Sequence, residues 1–167
     1  MSVIIGLTGQ SGAGKTTVCE QLKKAGFGII NCDMVARECT ADGSDCNKAL
    51  SKLFPSCFDE KLSLDRKGIS QIIFSDEQRL KEFDDIVYPY INRLIDKRIS
   101  ELSNSYDFIV LDAPTLFEAG ADKKCNAIMK HHFKAAFNIF RLSSAESGNW
   151  RSEQYFDSIL SAKYGYY

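Results

Sequence analysis

Residues Gly9-Gln10-Ser11-Gly12-Ala13-Gly14-Lys15-Thr16 constrain this chain more than any other stretch. A glycine, four residues and then Gly-Lys-Thr is the spacing of a phosphate-binding loop. The flanks agree with it. Val3-Ile4-Ile5-Gly6-Leu7-Thr8 is a short apolar run, as expected of a buried parallel strand. Thr16 to Ala25 reads as a helix, with Val18 and Leu22 four apart on one face and Gly26 as its stop. Gly9, Gly12 and Gly14 let backbone N–H groups approach a polyphosphate closely. The following helix directs its positive end at the same place. Lys15 supplies a mobile charge for the β- and γ-phosphates, and the Thr16 hydroxyl is placed to ligate Mg²⁺. A dinucleotide fingerprint fails, because Thr17 stands where its third glycine is needed.

The rest of the composition narrows the class. A chain of 167 residues with 44% hydrophobic content fits one domain carrying an insertion. Its net charge of -1 gives no general attraction to nucleic acid or anionic membrane, so neither is expected as a partner. No apolar run reaches membrane-spanning length and no signal peptide opens the chain, so a cytoplasmic protein is expected. The six cysteines form no CxxC pair, which argues against zinc and for reduced thiols. His131 and His132 are adjacent, so their side chains diverge, and both are expected at the surface.

Phe27-Gly28-Ile29-Ile30-Asn31 reads as a second strand, followed by Cys32-Asp33 and a helix from Met34. Ligands of open parallel sheets bind beyond the carboxyl ends of the strands, which puts Asp33 across a crevice from the glycine loop. Two readings of Asp33 stand. It is the base that takes a proton from a hydroxyl acceptor, with Arg37 steadying phosphate charge, or it caps the helix and pairs with Arg37. Residues 40–104 are helical in pattern and too long for a simple crossover, so they read as an inserted subdomain. Within them Cys46 to Phe54 and Ile69 to Phe74 read as helices, Ser75-Asp76-Glu77-Gln78 as a capping box, and the stretch to Leu102 as a long amphipathic helix bent at Pro89. Phe108-Ile109-Val110-Leu111-Asp112 is an apolar strand that delivers a carboxylate to Mg²⁺ or its water shell.

Four stretches together resemble the dephospho-coenzyme A kinase family. They are the glycine loop, Asn31-Cys32-Asp33-Met34-Val35-Ala36-Arg37, the segments Leu64-Asp65-Arg66, Ile73-Phe74-Ser75-Asp76 and Ile86-Val87-Tyr88-Pro89, and Leu111 through Gly120. The resemblance implies an α/β fold of the P-loop type, three layers (α/β/α) around a parallel sheet, with nucleotide-binding segments 1–39 and 105–167 and a helical substrate subdomain over about 40–104. It implies transfer of the ATP γ-phosphoryl group to the ribose 3′-hydroxyl of dephospho-CoA, with ATP and Mg²⁺ as cofactors. Gln10, Ser11, Ala13 and Thr17 join the other loop residues around ATP. Asp33 matches the family's base and Arg37 the signature arginine, while Ala113 and Pro114 fall beside substrate. Asn31 replaces the signature's first Asp, and Tyr88 replaces the usual His before Pro89.

The likeness weakens after Asn126. Ala127-Ile128-Met129 opens an apolar strand, but Lys130-His131-His132 follow, and an interior parallel strand is expected to stop before them. Phe133 to Leu142 reads as an amphipathic helix and Ser143 to Trp150 as a polar turn. Arg141 is the nearest match to the family's lid arginine. Gln154 and Leu160 to Tyr167 loosely rejoin the pattern. The lid and the terminal strand and helix are therefore expected to be degenerate or missing, as in a truncated or frameshifted copy. Two alternatives remain: another nucleoside or nucleotide kinase of the same fold, or a nucleotide-binding remnant with little turnover. A GTPase is disfavoured by the lack of Asn-Lys-x-Asp.

Overall fold

A computed structural model describes residues 2–9, 14–132, 139–144 and 150–151, and from residue 130 onward the backbone alone. Contacts divide the chain into two units, Met1–Asn31 with Ile99–Tyr167, and Cys32–Arg98. The sequence reading set these breaks at 39/40 and 104/105.

In the first unit, strand β1 (Val3–Gly9) is followed by helix α1 (Lys15–Lys24) and strand β2 (Gly28–Asn31). Strands β3 (Phe108–Asp112), β4 (Ala127–His132), β5 (Ile139–Ser144) and β6 (Trp150–Arg151) complete a sheet of order β2-β3-β1-β4-β5-β6. β1 pairs in parallel with β3 on one side and β4 on the other, and β2 pairs in parallel with β3. The α/β class and parallel sheet agree with the sequence reading.

Apolar residues explain why β1 is interior: Ile4, Ile5 and Leu7 are buried, so both of its faces are covered. Ile5 and Leu7 join Val18, Cys19, Leu22, Phe27, Val110 and Met129 in one core cluster, and Phe27 stacks on Phe108 at 5.1 Å between centroids. On the opposite face Gly6 makes room for Leu116. A Cβ at Gly6 would lie 2.6 Å from Leu116 Cδ2 and 3.0 Å from Cys125 Sγ.

Helix α1 ends as its sequence indicates. Gly26 adopts φ 84°, its N–H donates to the Lys23 carbonyl, and the Phe27 N–H donates to the Leu22 carbonyl. That pair of bonds satisfies carbonyls that the helix end would otherwise leave orphaned, and it needs a left-handed residue at 26.

The carboxyl-terminal strands differ from expectation. β4 does not stop at Met129. It continues through Lys130, His131 and His132, with Lys130 opposite Thr8 and His131 opposite Gly9. The ladder is made by backbone groups, so polar side chains do not end a strand whose neighbour continues. Residues 139–142, expected as helix, form β5, which pairs antiparallel with β4 and places Arg141 opposite Lys130. Ser143 and Ser144 belong to the same strand, and Trp150 opens β6 rather than closing a turn. Short apolar runs such as Ile139-Phe140 suit either period, and the open edge of β4 decides for strand. The side chains of His131, His132 and Arg141, and residues 133–138, 145–149 and 152–167 with Gln154 and Leu160 to Tyr167, lie outside the described residues.

The second unit is helical: α2 (Cys32–Cys39), α3 (Asp45–Leu53), a 3₁₀ turn at Pro55–Cys57, α4 (Arg66–Ser75) and α5 (Glu77–Leu102), whose last residues Ile99–Leu102 group with the first unit. Ser44 caps α3 by accepting from the Asn47 N–H, and Asp65 caps α4 by accepting from Lys67 and Gly68. Val87, Ile91 and Ile95 recur every fourth residue along α5 and are its buried residues. Pro89 sits inside this 26-residue helix. The fully buried Asn47 donates its Nδ2 to the carbonyls of Ala41 at 3.0 Å and Leu62 at 2.8 Å, fastening two loops.

The capping box before α5 is corrected. Ser75 is the last residue of α4 and donates its hydroxyl to the Ile72 carbonyl. Asp76 is the cap, its Oδ1 accepting from the Gln78 N–H at 2.9 Å and the Arg79 N–H at 3.3 Å. A carboxylate also suits the positive helix end better than a hydroxyl does.

Asp76→Ala is expected to cost about 1 kcal/mol in urea unfolding, whereas Ser75→Ala leaves the midpoint nearly unmoved. Gly26→Ala is expected to lower stability by about 1 kcal/mol, because alanine carries a steric penalty at positive φ. An unchanged unfolding midpoint would remove the left-handed turn from the account of α1.

Candidate active site

The carboxyl edge of the parallel sheet gathers the chemistry within the first unit. β1 delivers Gly9 there, and α1 begins again at Lys15 after Gln10, Ser11, Gly12 and Ala13, which lie outside the described residues. The Lys15 Nζ donates to the Gly9 carbonyl at 2.8 Å, tying the two ends of the loop together. Gly14 precedes the helix at φ 96°, a conformation that favours glycine.

Among the described residues no side chain caps α1, and its first turn carries no acidic residue. That turn carries the positive end of the helix dipole, which favours an anion. Thr16 and Thr17 are exposed on the same turn.

Strand register brings Asp112 to this edge, opposite Leu7 of β1 and Asn31 of β2. Its half-buried carboxylate accepts from Asn31 Nδ2 at 3.3 Å and from the Cys19 thiol on α1. Burial, together with the Asp112 charge, pushes the Cys19 thiol up to about 12, so it stays protonated and serves as a donor. Asn31 is thus a neutral donor at a position where a carboxylate would face Asp112 as a like charge.

Ala113 and Pro114 are held against β1. The Ala113 N–H donates to the Leu7 carbonyl at 3.0 Å, and the buried Thr8 hydroxyl donates to the Pro114 carbonyl at 3.1 Å. The turn after β3 is therefore pinned one residue before the glycine loop begins.

The sequence reading found Gly9, Lys15 and Asp112 but not Thr8, Cys19 or this role for Asn31. A polar residue ending an apolar strand was the available signal for Thr8. Cys19 sits four residues after Lys15, on the helical spacing that brings it near the same place.

Asp33 and Arg37 belong to the second unit. Both are exposed on α2, four residues apart, and among the described residues no ion pair joins them. Asp33 lies inside the first turn rather than at the cap, so the capping alternative does not hold in its simple form. Tyr88 donates its hydroxyl to Asp84 one turn earlier on α5, where burial holds the Asp84 carboxyl above its usual range.

Among the described residues no three of His, Cys, Asp and Glu gather as a metal cluster, and no helix is long and apolar enough to cross a membrane. Mg²⁺ bound with nucleotide needs only one or two protein oxygens, and the Thr16 hydroxyl and Asp112 carboxylate are donors of that hard kind.

Comparison with known proteins places this arrangement. The family model described as dephospho-CoA kinase matches residues 3–161. The dephospho-CoA kinase of Oceanobacillus iheyensis is 34% identical over 121 residues, covering 71% of this chain and 61% of that protein. That of Moorella thermoacetica is 35% identical over 146 residues, covering 86% of this chain and 69% of the relative. The chain thus spans about three fifths of the Oceanobacillus protein's length.

A crystal structure from Thermus thermophilus superposes with a TM-score of 0.67 at 30% identity, over 77% of this chain and 64% of that one. The dephospho-CoA kinase of Campylobacter jejuni gives a TM-score of 0.65 over 79% and 67%, and at 22% identity it speaks to the fold alone. With the glycine loop, the sheet-edge aspartate and the match across residues 3–161 in agreement, the chain belongs to the dephospho-CoA kinase family.

Proposed function

We propose that this chain transfers the γ-phosphoryl group of ATP to the ribose 3′-hydroxyl of dephospho-CoA, the last step of coenzyme A formation. The observation that carries this reading is the closure of Gly9 onto Lys15 at the sheet edge that also holds Asp112. Family membership supports the choice of acceptor.

In this reading Gly9 to Thr17 cradle the phosphates through backbone N–H groups, and Lys15 exchanges its carbonyl partner for the β- and γ-phosphate oxygens. Thr16 and Asp112 hold Mg²⁺, which when bound neutralises charge on the β- and γ-phosphates. Asn31 and Cys19 fix the Asp112 carboxylate by donating to it. Asp33 accepts the proton of the 3′-hydroxyl as its oxygen bonds to phosphorus and the bridging oxygen leaves with ADP. Arg37, one turn further along α2, steadies substrate phosphate, and Ala113 and Pro114 line the acceptor's approach. Dephospho-CoA is the partner, with neither nucleic acid nor membrane involved. No disulfide joins the six cysteines, which fits action in the reducing cytoplasm.

A coupled ATP-consumption assay with dephospho-CoA tests this. Asp33→Asn is expected to lower kcat about a hundredfold or more while nucleotide affinity holds, the size of a lost general base. Equal turnover in the two proteins would remove Asp33 from the mechanism. Lys15→Ala is expected to abolish measurable turnover and weaken ATP binding in calorimetry. Phosphorylation of a nucleoside monophosphate in place of dephospho-CoA, or nucleotide binding with no turnover at all, would overturn the assignment.

A further inference from the structure

Two of the buried thiols stand apart from the site above. Cys39 is the last residue of α2, and Cys46 is the second residue of α3. Both line one cavity of about 670 Å³, together with Arg93, Lys48, Lys52 and Tyr90. The Cys39 thiol donates a hydrogen bond to Cys46.

The two helix ends give the pair opposite electrostatics. Cys46 sits where the N–H groups of a nine-residue helix favour a negative charge, whereas Cys39 sits at the carbonyl end of its helix, which disfavours one. Arg93 adds positive charge beside both sulfurs and is held over the Tyr90 ring at 4.4 Å. The thiols respond accordingly. The hydrogen bond from Cys39, helped by Arg93, holds Cys46 below the ordinary thiol range, and the same bond together with burial pushes Cys39 up.

The two carboxylates on the cavity wall each face a cation. Asp45 pairs with Lys48 at 2.8 Å, and Glu38 with Arg98 at 2.9 Å. Arg93 and Lys52 leave the wall attractive to an anion. Cys19 and Cys125 differ from Cys46: burial pushes each to about 12, which makes them poor nucleophiles at neutral pH.

We propose that Cys39 and Cys46 form a redox-active dithiol that a small, carboxylate-bearing disulfide converts into an intramolecular disulfide. The Cys46 thiolate attacks one sulfur of the reagent, forming a mixed disulfide and expelling one thiolate. The Cys39 sulfur then attacks Cys46 Sγ, closing the Cys39–Cys46 bond and expelling the second thiolate. Two protein thiols are oxidised and one disulfide is reduced to two thiols, which take up the two protons released. The kinase reading is not required for any of these steps.

Oxidised glutathione is the probe, with the 167-residue chain in its native state. Thiol titration of the wild type is expected to fall from six free thiols to four, with peptide mass spectrometry mapping the link to Cys39 and Cys46 and dithiothreitol restoring it. Cys39→Ser is expected to trap one glutathione on Cys46. Cys46→Ser is expected to react about tenfold more slowly or not at all, since the remaining thiol is the poorer nucleophile. Retention of all six thiols by the wild type, a link or adduct on Cys32 or Cys57 instead, or undiminished reaction of Cys46→Ser would each overturn the proposal. The wild-type measurement decides the matter even if neither variant folds.

Discussion

The structure depends on β1 being satisfied on every side. Its backbone is paired with β3 along one edge and β4 along the other, and its side chains are buried on both faces. A strand so enclosed has no freedom of register, since a slip of one residue would turn Ile5 and Leu7 away from the cluster they share with Val18, Leu22 and Phe27. The chain must leave the sheet at Gly9. Parallel neighbours then end at the same edge, which is how Asp112 and Asn31, more than a hundred and about twenty residues later, arrive beside it. The chemistry at this edge is a consequence of how β1 is paired and packed.

Much of this was readable beforehand because each signal rested on a single local cause. Val3 to Leu7 and Phe108 to Leu111 are apolar runs of the kind that interior parallel strands carry, and the glycine loop after the first supports that choice. Gly26 marked the end of α1 because a left-handed residue is required there. The misread parts had two local solutions of similar merit. Ile139 to Leu142 suits helix or strand until β4 offers an edge, which is a tertiary fact. Ser75 and Asp76 can each begin a helix, and the choice turned on where α4 stopped. Asn47 gave no periodic signal at all. Its role comes from loop carbonyls at Thr40 and Ala41 on one side and at Leu62 on the other, which only the folded chain brings together.

The site shows the same division. Lys15 and Asp112 follow from spacing and from strand ends, so they could be named from the sequence. The groups that orient them could not. Thr8, Asn31 and Cys19 act through hydrogen bonds to Pro114 and Asp112 that exist only once the sheet and α1 are assembled. Cysteine is the clearest case, because one residue type carries several chemistries here. At 19 it is a donor fixed in its protonated form, at 125 a small buried group bonded to the Ala121 carbonyl, and at 39 and 46 a polarised pair. Environment separates them, and a count of six says nothing of it.

Leu116 fills the space that Gly6 leaves open, so the two positions share one fixed volume although they are far apart in sequence. A side chain at 6 would need a shorter residue at 116, and it would also press on the Cys125 sulfur. Natural variation in this family is then expected to pass through paired exchanges, a larger residue on the strand appearing with a shorter one in the turn. A shorter residue at 116 has to come first, because a side chain at 6 has no room until it does.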